Sequence, residues 1–221
     1  GASPDVLTGT YHSAPASPQG MRPRIFALLV FCLALAGLPL QAQQDKSPHS
    51  QATLIAETTA IEPGAPFTVA LRLQMDKGWH SYWRNPGDSG LETKIQWKLP
   101  PGFKAGEIQW PYPQRLIVPP LVSYGYENEV WLLTQITPPA DLPDGQNVTL
   151  RAQADWLVCE QVCLPAEAEL SLQLPVRKGA PALDARWKDA FARARAQLPV
   201  PAAQLGYTVG VERAPGDNGG F

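Results

Sequence analysis

Apolar and polar residues alternate along most of the chain from about residue 52 onward. Phe67, Val69, Leu71, Leu73 and Met75 are separated by Thr68, Ala70, Arg72 and Gln74, and Ile95, Trp97 and Leu99 by Gln96 and Lys98. Val130, Leu132, Thr134 and Ile136 repeat the pattern, although Trp131 and Leu133 make both faces apolar there. Val148, Leu150, Ala152, Ala154, Trp156 and Val158 form the longest run, and Ala168, Leu170, Leu172 and Leu174 form the last. Successive side chains of a strand point to opposite faces, so a period of two predicts strands with one buried face. Turn residues punctuate the runs: Pro63-Gly64, Pro86-Gly87, Pro100-Pro101-Gly102, Pro119-Pro120 and Pro143-Asp144-Gly145. Many such strands with no helix between them predict an all-β fold, an antiparallel β-sandwich.

The period changes after Val176. Leu183, Trp187, Ala190, Phe191, Ala194 and Leu198 recur at helical spacing with Arg and Lys between them, which predicts one amphipathic helix. Pro199 and Pro201 follow, and Tyr207-Thr-Val-Gly-Val-Glu reads as the first strand of another unit. At the other end, Met21 opens the layout of a secretory signal: Arg22 and Arg24, an apolar run from Ile25 to Leu40, then Gln41-Ala42 as a cleavage end. The apolar run is shorter than the ~20 residues a membrane-spanning helix needs. The expected organisation is a disordered upstream extension (1–20), a signal peptide (21–42), a polar linker (43–51) and the sandwich (52–176). A helical linker (177–204) and the truncated start of a second domain (205–221) follow, in a parent protein that continues.

Charge narrows the function classes. The formal net charge is −2, and no basic stripe or Arg-rich run exists, which argues against nucleic acid and anionic membrane surfaces. Of the 3 cysteines, Cys32 lies in the apolar run and leaves with the signal. Cys159 and Cys163 remain in an exported chain, where an oxidising compartment favours disulfide chemistry.

Cys159-Glu-Gln-Val-Cys163 lies between the last two alternating runs, so it is expected at a hairpin end on the rim of the sandwich. A staple this short contributes only about 2 kcal/mol in the chain-entropy model, against nearly 5 for a loop of ~100 residues. From spacing alone, redox exchange and a structural bridge both stay open. A two-thiolate Cu(I) site is a third reading, but no histidine follows Cys163, and His80 and His49 are the only histidines after the signal.

Aromatic segments surround the pair in sequence. In Gly78-Trp-His-Ser-Tyr-Trp-Arg84 the rings of Trp79, Tyr82 and Trp83 do not share one parity, which predicts a bulged strand. Trp79 reads as packing at the end of the sandwich. His80 and Tyr82 are candidates to line the site, where an imidazole or phenol tunes a thiol or passes a proton. Glu160 acts in the opposite sense, because a nearby carboxylate disfavours thiolate. Gly125, between Tyr124 and Tyr126, predicts a tight turn that holds both rings outward, as a loop on the core or a lid over a reactive sulfur.

Four ordered segments together resemble the N-terminal periplasmic domain of the DsbD/ScsB group of thiol:disulfide interchange proteins. They are Gly78-Trp-His-Ser-Tyr-Trp-Arg-Asn-Pro-Gly-Asp-Ser-Gly90, Ile108-Gln-Trp-Pro111, Tyr124-Gly-Tyr126 and Trp156-Leu-Val-Cys-Glu-Gln-Val-Cys-Leu-Pro165. The resemblance covers about residues 50–176 and implies an immunoglobulin-like sandwich with no cofactor. It implies a protein-disulfide reductase module anchored through its parent in the bacterial inner membrane. Such a module takes electrons from a membrane-embedded domain of the same protein. It passes them to periplasmic thioredoxin-fold proteins, disulfide isomerases or cytochrome c biogenesis factors. It also implies that Cys163 forms the mixed disulfide, that Cys159 resolves it, and that Tyr124-Gly125 occupies the place of a shielding cap. The close Cys-x3-Cys spacing places the chain nearer the ScsB-like branch. Ser123 stands where the better-known members carry a phenylalanine, so shielding falls to Tyr124 or Tyr126.

Overall fold

The computed structural model describes residues 46–206 and Gly210. The chain divides into Gly1–Gln41 and Ala42–Phe221, and all described residues belong to the second unit. The expected upstream extension and signal peptide, and the expected strand after Gly206, lie outside the described residues apart from Gly210.

In chain order the strands are β1 (Lys46–Ser47), β2 (Ser50–Ala56), β3 (Phe67–Met75), β4 (His80–Gly87), β5 (Lys94–Lys98) and β6 (Lys104–Gln109). They continue with β7 (Gln114–Val118), β8 (Leu121–Glu127), β9 (Glu129–Thr137), β10 (Asn147–Cys159) and β11 (Cys163–Pro175), followed by the α-helix α1 (Lys188–Ala196) and a short 3-10 helix (Ala202–Leu205). One sheet has the order β1-β2-β3-β9-β6 and the other β11-β10-β4-β8-β7, with β5 also pairing β10. All these pairings are antiparallel. The expected antiparallel sandwich is what forms. No helix among the described residues is long and apolar enough to cross a membrane.

The alternating residues meet between the sheets. Leu71, Leu73 and Leu132 of the first sheet pack with Leu150, Trp156 and Val158 of the second in one core. Each such side chain contributes roughly 1.5–3 kcal/mol on burial. The double-sided run in β9 has its own cause. Trp131 and Leu133 point away from that core and, with Ile55 and Ala70, lie under Phe191 and Ala194 of α1. The guanidinium of Arg72 lies 5.6 Å from the Trp131 ring and 5.7 Å from the Trp187 ring. Arg195 pairs with Glu57, tying the helix to the end of β2.

The helix is shorter than the 183–198 span its apolar spacing suggests. Leu183 is extended instead and bridges to Thr58, so helical geometry begins only after Asp184 accepts the backbone N–H groups of Trp187 and Lys188. Gly125 also departs from expectation. It makes no tight turn but sits inside β8, opposite both Tyr82 and Gln114. A Cβ there would lie 2.0 Å from the Ser81 carbonyl oxygen, so glycine is required by the close approach of β4 and not by a turn.

Candidate functional site

The site is built where three strands of the second sheet meet. β10 and β11 pair along their whole 13-residue lengths and end on Cys159 opposite Cys163. The two sulfurs form a disulfide, with Cα atoms 4.1 Å apart, at the rim position expected from sequence. On the other edge of β10, His80 at the start of β4 stands directly opposite Cys159.

Parity decides which way these groups face. Ala154, Trp156 and Val158 of β10 enter the core between the sheets, so Cys159, one residue on, falls on the outer face. His80 shares that face as the cross-strand partner of Cys159, and Tyr82, two residues along β4, follows it. Ser81 and Trp83 take the opposite parity, and Trp83 packs against the main core.

Side chains then connect. The Tyr82 hydroxyl lies 3.5 Å from Cys163 Sγ and 3.3 Å from His80 Nε2. Tyr82 is therefore a bridge between the sulfur and the imidazole, with its O–H able to donate to either. The rings of His80 and Tyr82 meet edge to face, with centroids 5.2 Å apart. Both are almost fully buried. Gly90 sets the ring of Tyr82 in place, because a Cβ at Gly90 would come within 2.4 Å of that ring.

The two sulfurs are unequally placed. Cys159 is 2% exposed, whereas Cys163 opens β11 in an exposed position. Burial lowers the pKa of His80 below the usual imidazole value, and the Glu127 carboxylate opposes this more weakly. Glu127 is the cross-strand partner of His80 from β8. His80 is thus a neutral imidazole at pH 7.

The remaining candidates are more dispersed. Glu160 is exposed in the turn between the cysteines, and its carboxylate rests over Gly78, where a Cβ would be 3.2 Å away. Gly125 lies across from Tyr82. The Tyr126 ring is buried in the main core, and its hydroxyl donates to the Pro111 carbonyl oxygen at 2.8 Å. Burial raises the Tyr126 pKa well above the usual phenol range. Tyr124 is partly exposed and lies beside Gly87, at the end of β4 away from His80. Trp79, read as packing, stacks on His49 with ring centroids 3.9 Å apart. The structure thus brings together Cys159, Cys163, His80 and Tyr82, and sets Tyr124 and Tyr126 elsewhere on β8. Sequence reasoning gave no role to Glu127, nor to Gly90 at the end of the first resembling segment, since their contacts come from strand pairing and loop packing.

Comparison with known proteins places this geometry. Among solved structures, the N-terminal periplasmic domain of ScsB from Proteus mirabilis matches with a TM-score of 0.53 at 23% identity, covering 71% of this chain and 58% of that one. This chain therefore spans less than two thirds of that domain, and the likeness is one of fold. The periplasmic chaperone SfaE overlaps 60% of each chain at 10% identity and a TM-score of 0.27. No curated protein matches the sequence. The family model for the thiol:disulfide interchange protein DsbD, N-terminal, matches residues 51–175, a span that holds both sheets from β2 to β11 and the disulfide at their rim. With a family-wide match over that span and a bonded cysteine pair backed by a buried tyrosine and histidine, the chain belongs to the family of N-terminal domains of thiol:disulfide interchange protein DsbD.

Proposed function

We propose that this chain is a periplasmic thiol–disulfide exchange module that passes electrons from a membrane-embedded domain of its parent protein to disulfides of partner proteins. Thioredoxin-fold proteins and disulfide isomerases of the periplasm are the expected acceptors. The observation that carries this reading is the inequality of the two sulfurs. Cys163 is exposed and has the Tyr82 hydroxyl at 3.5 Å, while Cys159 is buried behind it. An attacking thiol must be reachable, and a resolving thiol must be held close by and kept from stray partners.

The exchange runs in two displacements. In the reduced pair, the Cys163 thiolate attacks one sulfur of a partner disulfide. A new S–S bond forms, the partner's own S–S bond breaks, and the electron pair leaves on the partner's second sulfur, which takes up a proton. Cys159, after losing its proton, then attacks the Cys163 sulfur. The mixed disulfide breaks, the partner's first sulfur leaves as a thiolate and is protonated, and the Cys159–Cys163 disulfide is formed. Two electrons have passed to the partner, and a dithiol donor restores the reduced pair by the same steps in reverse. Tyr82 supports the first displacement by donating a hydrogen bond from its hydroxyl to the sulfur, which favours the thiolate without protonating it. His80 holds the phenol in position through Nε2.

A structural staple fits less well. β10 and β11 are already in register along their entire length, so the disulfide is not needed to fix the hairpin. The test is an equilibrium redox titration of the chain carrying Cys32→Ser. A potential between roughly −200 and −280 mV in the folded state supports exchange, and one well below about −300 mV overturns it.

A further inference from the structure

The outer face of the second sheet carries more than the disulfide. Its side chains form rows across the paired strands. His80, Cys159 and Cys163 make one row, Leu157 and Pro165 the next, and Lys94, Asp155 and Glu167 a third. Successive rows are two residues apart, or about 6.8 Å along the strands. A groove of about 600 Å³ lies over the second and third rows, walled by Leu91 and Glu92. That wall belongs to the same loop that presses Gly90 onto Tyr82. The groove is mainly apolar in its lining, and Leu91 at its lip is 65% exposed. Its charged groups are three carboxylates, Glu92, Asp155 and Glu167, against one ammonium, Lys94.

We infer that this groove seats the partner's polypeptide beside its attacked cysteine. The segment it takes is extended, with an apolar side chain two residues from that cysteine and a basic side chain two residues further. This rests on the exchange reading above and specifies its substrate. An extended chain repeats side chains on one face at the same ~6.8 Å interval as the rows. A partner cysteine at Cys163 therefore places its second neighbour over Leu91, Leu157 and Pro165. Its fourth neighbour then faces Asp155 and Glu167, where a cation meets complementary charge. A cavity of this volume also suits a small organic ligand. The continuity of the rows with the reactive sulfur, and the acidic groups at the far row, favour a chain that begins at the disulfide and runs on.

The test uses the chain carrying Cys32→Ser and Cys159→Ser, which leaves Cys163 as the only thiol of the 3 cysteines. The probes are short peptides whose single cysteine is disulfide-bonded to 2-thiopyridine. Attack by Cys163 forms the protein–peptide disulfide and expels 2-thiopyridone, whose absorbance gives the rate. One peptide pair carries leucine and arginine at the second and fourth positions from the cysteine, one peptide for each chain direction. The control pair carries glycine and glutamate there. The expected result is about tenfold faster attack on the leucine–arginine peptide of one direction, equivalent to ~1.4 kcal/mol. Leu91→Ser combined with Asp155→Asn and Glu167→Gln should abolish that preference and leave the rate with neutral 2,2′-dithiodipyridine unchanged. Equal rates for all peptides, or a preference that survives these substitutions, overturns the groove assignment alone. Failure of Cys163 to react with 2,2′-dithiodipyridine in the folded chain overturns the exchange reading and this inference together.

Discussion

Tyr82 lies within reach of both the exposed sulfur and the buried imidazole, and the proposed exchange gives its hydroxyl the task of stabilising the thiolate. Hydrogen bonds to charged groups contribute about 1.5–3 kcal/mol, and one pH unit corresponds to about 1.4 kcal/mol. Tyr82→Phe should therefore raise the thiol pKa of Cys163 by roughly one unit, read from the pH dependence of its alkylation in the reduced chain. An unchanged profile would remove Tyr82 from the mechanism. His80 gives a separate signature. Its folded pKa is lowered by burial from the ordinary 6.5, so the unfolded chain takes up the proton first as pH falls. The stability tied to neutral His80 is complete above that ordinary value and is lost as pH falls below it. The oxidised chain should thus lose stability as pH falls below the ordinary imidazole value of 6.5, and His80→Gln should flatten that part of the denaturation profile. The cysteines, His80 and Tyr82 were all legible as chemistry-bearing residues in sequence. Which atoms join them was not, because Tyr82 and Cys163 are 81 positions apart and strand order cannot be read from alternation. Tyr126 shows the same limit in reverse: a ring placed by motif near the sulfur lies in the core, held by Pro111.

At the scale of elements, legibility followed burial. β3, β10 and β11 bury mainly one face and β9 buries both, so their apolar repeats are strong in sequence. β6 is exposed at every position except Ile108, and β7 buries only Leu116, so neither leaves a period-two signal. The helix was legible for the opposite reason: its apolar stripe had to be covered, and the double-sided run in β9 was the surface waiting for it. α1 lies beyond the 51–175 span matched by the family model, yet Phe191 is fully buried under the sheet. Phe191→Ala should accordingly destabilise the oxidised chain by about 3–5 kcal/mol, measured by urea denaturation. The ion pair acts more weakly. Arg195 lowers the Glu57 pKa chiefly by its hydrogen bond, so its contribution is present above about pH 4.5 and fades as pH falls through the folded value. Arg195→Ala should speed amide exchange in α1 near pH 7, leaving the two sheets protected.

For the molecule as a whole, a shuttle needs both of its redox states folded, and the architecture provides for this. The disulfide closes a loop of sequence separation 4, so its entropic contribution is only about 2 kcal/mol. The backbone pairing and core contacts that fix the end of the hairpin do not involve sulfur. The pairing of β10 with β11 reaches to Val158 and Leu164 without help from sulfur, and Val158 is anchored in the core between the sheets. His80 and Tyr82 are held by the pairing of β4 with β8 and by Gly90, not by the S–S bond. Reducing the pair should therefore lower Tm by about 4–8 °C, taking roughly 2–4 °C per kcal/mol for a domain of this size. The far-UV circular dichroism should not change. A chain that lost its sheet signal on reduction at 25 °C would have a disulfide that fastens the fold, and such a bond could not be cycled by a partner. A small drop in Tm with the sheets intact leaves the sulfur pair free to be made and broken while the sandwich that carries it stays folded.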